Sequence, residues 1–414
     1  MIFEIYIWVL AFVGVFAAVL WIMVNHASKF GREGEKKPER FPFVSIAVPV
    51  YNERDAIIPT LKSILSLDYP KNKIEIIVVD DKSLDDTVNI IEDFISSKNI
   101  KNLKIIRHKK NLGKAGALNS ALRTAKGEFF WVYDADSFAS RDLLKKLILK
   151  FQESKKDVAA AVSITLIHNQ GKWIEKMQRL EYLMAAFTRE LMGSVDTLHI
   201  TNALTLFRTD ILKKIKGFDV GNLTEDFEIA MRLRFKRYRI VMCEEGNFHT
   251  HVPNTIKSMW MQRVRWFRGY IHNNLKYKKM VLNKKYGLLG LYQIPLEVFF
   301  LLAVFVSVAI FGYHIVKQVI DIGFQIFIMR FEILDFTLPT LKQLIFNLNW
   351  KLTFPSIAVL FLGFYIYLAA HKYAGERWRF YVPSILYIFV YPLFRSMQWI
   401  HAFVLEFGRA ERKW

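Results

Sequence analysis

Acidic side chains gather where short apolar runs end. Val44–Val50 leads into Tyr51-Asn52-Glu53, Ile74–Val79 into Asp80-Asp81, and Phe129–Val132 into Tyr133-Asp134-Ala135-Asp136. A single aspartate after a strand is ordinarily a helix N-cap. Three such clusters ask for more, because carboxylates held close repel one another unless a cation or donor hydrogens compensate. Asp134 and Asp136, two apart across a bend, are spaced to share one hard divalent cation. Mg2+ or Mn2+ there would bridge to phosphate oxygens and neutralise a leaving diphosphate. Gly113-Lys114-Ala115-Gly116 is either a plain loop or a glycine turn that brings Lys114 and backbone amides to phosphate; no GxxxxGK[ST] sequence accompanies it. Glu225 and Asp226, within Asn222–Glu228, open a helix. They are favourable first-turn acids, or Asp226 is a base that takes the proton of an acceptor hydroxyl.

Two further segments carry unusual side chains. Lys257 to Asn274 sets Arg263, Arg265 and Arg268 among Trp260, Trp266 and Phe267, with Arg265 and Arg268 neighbours on a helix. Read without further context, it is a membrane-surface anchor. Asn247 to Pro253 places His249 and His251 two apart, as surface-loop histidines or with His251 as a third metal ligand.

The elements that must hold these residues divide the chain of 414 residues into apolar ends and a polar middle. Net charge is +20, 53% of residues are hydrophobic, 15% are aromatic and mean hydropathy is +0.18, which excludes a disordered polyelectrolyte and suits a membrane protein with a polar catalytic part. The sole cysteine, Cys243, excludes an intramolecular disulfide and a cysteine zinc cage. Ile5 to Val24 is uncharged for 20 residues and reads as a transmembrane helix, uncleaved because Glu4 rather than a basic residue precedes it. Lys29, Arg32, Lys36, Lys37 and Arg40 follow, placing the next region on the cytoplasmic side. Leu288–Val316, Leu352–Ala370 and Phe380–Leu405 predict about three C-terminal spans, with Ile320–Phe336 at the interface. Arg395, costly in lipid, lines a polar path in this reading. The charges conflict at the end. Lys372, Arg377 and Arg379 favour an inside loop, which strands the basic tail Arg409, Arg412 and Lys413 outside unless the last segment is re-entrant.

Between the apolar ends, Val44–Val50, Ile74–Val79, Leu103–Ile106 and Phe129–Val132 read as buried strands alternating with amphipathic Ile57–Leu67, Thr87–Ile95 and Ala115–Thr124. Such alternation predicts a parallel, doubly wound α/β sheet with ligands at the carboxyl ends of its strands. Lys172–Leu191 carries Ile174, Met177, Leu180, Met184, Phe187 and Leu191 on one stripe, so it packs either on the soluble core or against the membrane part.

Taken in order, Val79-Asp80-Asp81, Asp134-Ala135-Asp136, Thr224-Glu225-Asp226 and Gln262-Arg263-Val264-Arg265-Trp266 resemble the inverting family-2 glycosyltransferases. Within these the chain is similar to the processive membrane synthases of cellulose, chitin, hyaluronan and poly-N-acetylglucosamine, by motif over Val44 to Tyr270 and by layout beyond. The resemblance implies a GT-A domain over 41–255 on the cytoplasmic side, including an interfacial helix at 172–191. A transmembrane helix at 1–28, an interfacial segment at 256–285 and a transmembrane region at 286–414 complete the implied layout. By the same resemblance Tyr51, Glu53 and Asp81 hold uridine, Lys114 approaches the donor, Asp134 and Asp136 handle donor sugar and metal, and Asp226 beside Glu225 is the general base. Gln262, Arg263 and Arg265 contact the diphosphate, and Trp266 floors the acceptor sugar, whose C–H face stacks well on indole. Thr201-Asn202 is bulkier than the small residues that relatives place along the acceptor site.

The function this predicts is transfer from a UDP-sugar, UDP-N-acetylglucosamine favoured, to a growing polysaccharide exported through the helices of a multi-pass protein of the cell membrane. One alternative is transfer of a single sugar to a polyprenyl phosphate or membrane lipid. The other is a non-catalytic protein binding anionic lipid. A nucleic-acid partner is not expected, since no motif for one is present and clustered carboxylates repel phosphate.

Overall fold

The computed structural model describes residues 2–27, 38–328, 349–375 and 382–410. Lys29, Arg32, Lys36 and Lys37, the end of Ile320–Phe336, and Arg377, Arg379, Arg412 and Lys413 lie outside the described residues.

Apolar runs become strands close to where the sequence places them. They are β1 (Val44–Val50), β2 (Ile74–Asp80), β3 (Leu103–Arg107) and β4 (Phe129–Val132), interleaved with α2 (Ile57–Leu65), α3 (Thr87–Lys98) and α4 (Gly113–Thr124) after the N-terminal helix α1 (Ile2–Ala27). β1, β2 and β4 are almost wholly buried, as continuous apolar runs covered on both faces must be. β3 is the partly exposed edge.

Eight strands form one sheet in the order β3-β2-β1-β4-β7-β6-β8-β5. The first four pair in parallel, as expected of a doubly wound sheet. The second half departs from the parallel reading. β7 (Leu206–Arg208) runs antiparallel to both β4 and β6 (Val158–Ile167), and β5 (Ser137–Ala139) runs antiparallel to β8 (Arg239–Thr250). β5 follows β4 with no helix between them, whereas a parallel strand would need such a crossover. One core packs α2, α3 and α5 (Leu143–Gln152) on one face, and a second packs α4, α7 (Thr209–Lys214) and α8 (Glu225–Phe235) on the other.

The amphipathic stripe becomes α6 (Trp173–Ser194), begun by a capping box between Lys172 and Glu175. Its apolar stripe joins the domain to the membrane part. Phe187 and Leu191 meet Trp21 and Val24 of α1 and Ala370 of α11 (Trp350–Tyr373), and Leu180 and Leu183 meet Tyr367. α9 (Ile256–Lys276) follows the sheet and leads through short turns to α10 (Ile294–Ile328). Tyr6 of α1 donates to the carbonyl of Ala303 on α10 at 2.7 Å.

Among the described residues three helices are long and apolar enough to cross a membrane: Phe3–Ala27, Leu289–Phe324 and Thr353–Tyr373. Phe380–Leu405, where a third C-terminal span is expected, is not among them. Its described part breaks into Val382–Ile385, a π-turn at Leu386–Val390 and α12 (Tyr391–Phe407), with Pro392 in the first turn of α12. α12 lies along α9. Phe267 stacks on Trp399 at 4.0 Å, the Trp260 indole N–H donates to His401 at 2.9 Å, and Arg268 pairs with Glu406 at 3.3 Å.

Candidate active site

Parallel pairing sets the carboxyl ends of β2, β1 and β4 side by side, so the three acidic clusters share one edge. The chain leaves β1 exposing the Tyr51 ring, turns at Asn52 in the left-handed region (φ 57°), and ties Glu53 N–H to Thr87 Oγ1 at 2.9 Å. After β2, buried Asp81 accepts from the amides of Leu112 and Gly113 at 2.8 and 2.7 Å and meets His108 Nδ1 at 2.7 Å. Asp81 is thus the anchor of the glycine turn that starts α4. Gly113 needs its glycine, since φ is +73°. One residue on, Lys114 projects from the first turn of α4, its Nζ 2.6 Å from Asp134 Oδ1 and 3.2 Å from Glu225 Oε1.

Asp134 and Asp136 follow β4 across a bend braced by Thr60, whose hydroxyl donates to the Ala135 carbonyl at 2.7 Å. Burial first, then Asp136 and Glu225, push Asp134 up to about 6 against the pull of Lys114. Glu53 rises to about 7, from burial and then from Asp136 and Asp134. Burial works against the charge of Lys114, yet Asp134 and Glu225 together hold its pKa above the ordinary value.

The other wall is α8, whose first turn carries Glu225 and Asp226. Burial and then Glu225 raise Asp226 above the usual carboxylate range, while Lys114 and Arg265 act in the opposite sense. Thr201 Oγ1 donates to the Asp226 carbonyl at 2.6 Å, and Asn202 is spent on the Ser163 carbonyl at 2.7 Å, so the bulkier pair braces the turn. Asn273 of α9 donates to Thr224 Oγ1 at 3.2 Å. α9 can come this close because residue 269 is glycine; a side chain there would run into Thr224.

Sequence reasoning and geometry part at α9. Arg265 faces the site closely enough for its charge to act on Asp226. Arg263, expected at the diphosphate, is instead fully buried, pairing with Glu181 of α6 at 2.6 Å and bonding Gln262. Positions two apart on a helix point about 200° apart, so the two arginines cannot serve one ligand. Trp266, three residues from Arg263, has that guanidinium 4.1 Å over its ring and is partly buried against the cluster of Val264, Phe267 and Ile271.

The metal-binding prediction divides in the same way. Among the described residues no three His, Cys, Asp or Glu side chains converge as a ligand set. His251 turns Nδ1 to the backbone carbonyl of Asp136 at 3.2 Å and packs its ring on Phe138 and His168, beside the β5–β8 pairing. Asp134 and Asp136 do fit a divalent cation. Asp134 Oδ1, buried, is met by Lys114 as a charge, but among the described residues it lacks a well-aligned donor. Mg2+ and Mn2+ bind through one or two carboxylates and leave the remaining positions to phosphate and water.

Sequence reasoning missed Tyr182 and Arg189 on α6. Burial lowers the Arg189 pKa, Tyr182 and Asp226 act on its charge, and Asp136 acts on Tyr182, so both side chains stand near the acidic cluster. Their seven-residue spacing, two turns on one face, was the available signal.

Residues 45–216 match the family described as Glycosyl transferase family 2. Over 272 residues the chain is 30% identical to the poly-beta-1,6-N-acetyl-D-glucosamine synthase of Staphylococcus epidermidis, covering 63% of this chain and 64% of that one. The protein of the same name from Staphylococcus aureus strain MSSA476 matches with the same identity and coverage. The chain thus spans just under two thirds of the length of these curated relatives. Among solved structures, the mannosyltransferase PcManGT from Pyrobaculum calidifontis, in complex with GDP-Man and Mn2+, aligns over 99% of both chains with a TM-score of 0.58 at 18% identity. That likeness carries the fold, and it takes in the helical part as well as the sheet.

Proposed function

We propose, from the match of residues 45–216 to Glycosyl transferase family 2, that the protein is a membrane-bound inverting glycosyltransferase adding sugar from a UDP-sugar to a growing polysaccharide. The observation that carries this reading is Lys114, which bridges Asp134 on the donor side and Glu225, beside Asp226, on the acceptor side. UDP-N-acetylglucosamine is the favoured donor, in keeping with the named activity of the curated relatives.

The uracil lies against exposed Tyr51 and near Glu53, within the loop that Asp81 stiffens. Asp134 and Asp136 would hold Mg2+ or Mn2+, which would supply positive charge to offset that of the departing diphosphate. Arg265 and Lys114 bring positive charge to the same oxygens. Asp226 accepts the proton of the acceptor hydroxyl as that oxygen attacks the anomeric carbon opposite the diphosphate, and the configuration inverts. A pKa raised by burial brings Asp226 nearer neutrality, where a base works best. The part of the Trp266 ring left exposed is the floor for the acceptor sugar.

Three spans also reconcile the charges that conflicted in sequence. With α1 entering the cytoplasm, α10 leaves it, α11 returns, and α12 lies at the cytoplasmic interface against α9. Lys372, Arg377, Arg379 and the basic tail then all stand inside, as the positive-inside rule requires. The domain boundaries 1–28, 41–255, 256–285 and 286–414 are retained in this proposal, the last region holding two spans and an interfacial helix.

The small number of spans favours a second reading, transfer of one sugar to a membrane lipid, which needs no export path. Asp226→Asn should abolish transfer and leave UDP binding intact, and full turnover by that variant would remove the base. Incubating the purified protein with labelled UDP-sugars separates the readings. A long polymer supports synthesis, and its appearance inside inverted proteoliposomes supports export. An organic-extractable monosaccharide lipid supports the second reading.

A further inference from the structure

An acidic residue near the start of the first C-terminal span, Glu297, has no role in the chemistry above. Glu297 of α10 is costly in an apolar helix unless it is paired. Its Oε2 accepts from the Tyr270 hydroxyl of α9 at 2.9 Å and lies 3.3 Å from His199 Nε2, and its Oε1 accepts from Gln293 at 2.6 Å. His199 is 1% exposed, and its other nitrogen, Nδ1, faces the Thr197 carbonyl at 2.9 Å.

Two acceptors therefore face the two ring nitrogens. A neutral imidazole can donate to only one of them, so the arrangement is satisfied by an imidazolium against the Glu297 carboxylate. Both partners of that carboxylate lead to Asp226. His199 stands two residues before Thr201, whose hydroxyl holds the Asp226 carbonyl at 2.6 Å. Tyr270 stacks on Phe227, the next residue after Asp226, at 5.4 Å with planes 18° apart, and the His199 ring packs edge-on against the same Phe227 at 6.1 Å.

We propose that Glu297, through His199 on one side and Tyr270 on the other, is the positioning residue that clamps the Asp226–Phe227 peptide from the membrane. A membrane span thereby sets the aim of the general base. The inference rests on the reading of Asp226 as that base. The groups facing His199 are Glu297 and Gln293 from α10, Tyr270 from α9 and, acting in the opposite sense on its charge, Arg234 from α8. Burial disfavours the imidazolium, but Glu297 outweighs it and holds the His199 pKa above the ordinary value. The clamp is thus closed at low pH and opens as pH rises through that value.

The test is steady-state kinetics of the full chain in detergent micelles, with UDP binding measured by calorimetry. Glu297→Gln and His199→Gln are each expected to lower kcat about tenfold while leaving the donor KM and UDP affinity unchanged. The double variant should lose no more than either single one, because both break the same link. In Glu297→Gln the alkaline fall in activity should move to lower pH, since the charge that raises His199 is gone. If Glu297→Gln does not fold, Tyr270→Phe removes one hydroxyl, keeps the ring stack and should still lower kcat two- to fivefold at constant KM. Wild-type kcat in the variants, additive losses, or losses carried by donor KM would overturn the clamp. Asp226→Asn, run alongside, separates the two failures. If it is inactive while the clamp variants are normal, only this inference falls, and if it is active, the reading of Asp226 falls first.

Discussion

The two walls of the site are built on opposite electrostatic plans. The donor wall, at the ends of β1 and β4, crowds Glu53, Asp134 and Asp136 so that two of them rise towards neutrality. The acceptor wall, where α6, α8, α9 and α10 meet, pairs its charges: Arg263 with Glu181, Glu297 with His199, and Arg268 with Glu406. The contrast teaches that the donor wall is completed by a ligand, whereas the acceptor wall is set in advance by the fold. Loss of charge should therefore cost binding on one side and stability or aim on the other.

The largest break in the donor wall is Asp136→Asn. Removing a carboxylate from the cation pair should lower turnover by about 10²–10³, comparable with losing one electrostatic stabiliser of a transition state. Calorimetry should show that Mn2+ no longer strengthens UDP binding, and unchanged coupling between Mn2+ and UDP would take Asp136 out of the metal site. Arg265→Met follows at about 10² in kcat/KM, because its charge acts on the Asp226 side of the site.

Arg263→Met tests the other wall with a residue of the same type only two positions away. It leaves buried Glu181 with only the more distant Arg395, at 3.9 Å, as a cation, a loss of up to about 3–5 kcal/mol for a pair of this kind. The apparent Tm should fall, while the fraction that stays folded keeps its affinity for UDP. Weakened UDP binding at full stability would return Arg263 to the diphosphate.

Acidity and metal sharpen the comparison more gently. Asp134 at about 6 and Glu53 at about 7 keep their protons in the folded chain to higher pH than they would unfolded. Their favourable contribution is full below the ordinary carboxylate range and is lost as pH rises through 6 to 7. In chelator the apparent Tm should fall from pH 5 to pH 7.5. Mn2+ at a hundredfold excess over its Kd should restore about 2.7 kcal/mol at the upper end and less at the lower. Equal stabilisation at both ends would mean that these carboxylates do not hold the ion.

How far all this was legible in the sequence follows the same division. β1, β2 and β4 are buried on both faces and therefore uninterrupted runs, and the carboxylates that end them could be read at once. β5 and β7, three residues each, are too short for any period to register, and β8 mixes Glu244, Glu245, Asn247 and His249 into a strand that turns one face outward. On the acceptor wall, charges that pair across elements distant in sequence leave no local signal. Arg263 and Glu181 are 82 positions apart, and His199 and Glu297 are 98. The last apolar segment is ambiguous in sequence for a related reason. Phe380–Leu405 is apolar enough to suggest lipid, but its aromatic rings are used on α9.

The smallest effect is expected where the two plans meet, at His251. It sits beside Asp136 and would be a metal ligand if the donor wall supplied its own third group. Yet its Nδ1 faces a backbone carbonyl, and its ring lies edge-on to His168 at 5.0 Å and Phe138 at 5.6 Å, both outside the acidic cluster. An imidazole so placed stiffens the end of β5 without meeting the cation. His251→Ala should therefore keep turnover within about twofold and leave Mn2+ affinity unchanged, since even outer-shell partners of a metal typically cost 10–100-fold. A drop of that size in Mn2+ binding, with the fold intact, would put the imidazole in the coordination sphere. The donor wall would then be partly complete before its substrate arrives.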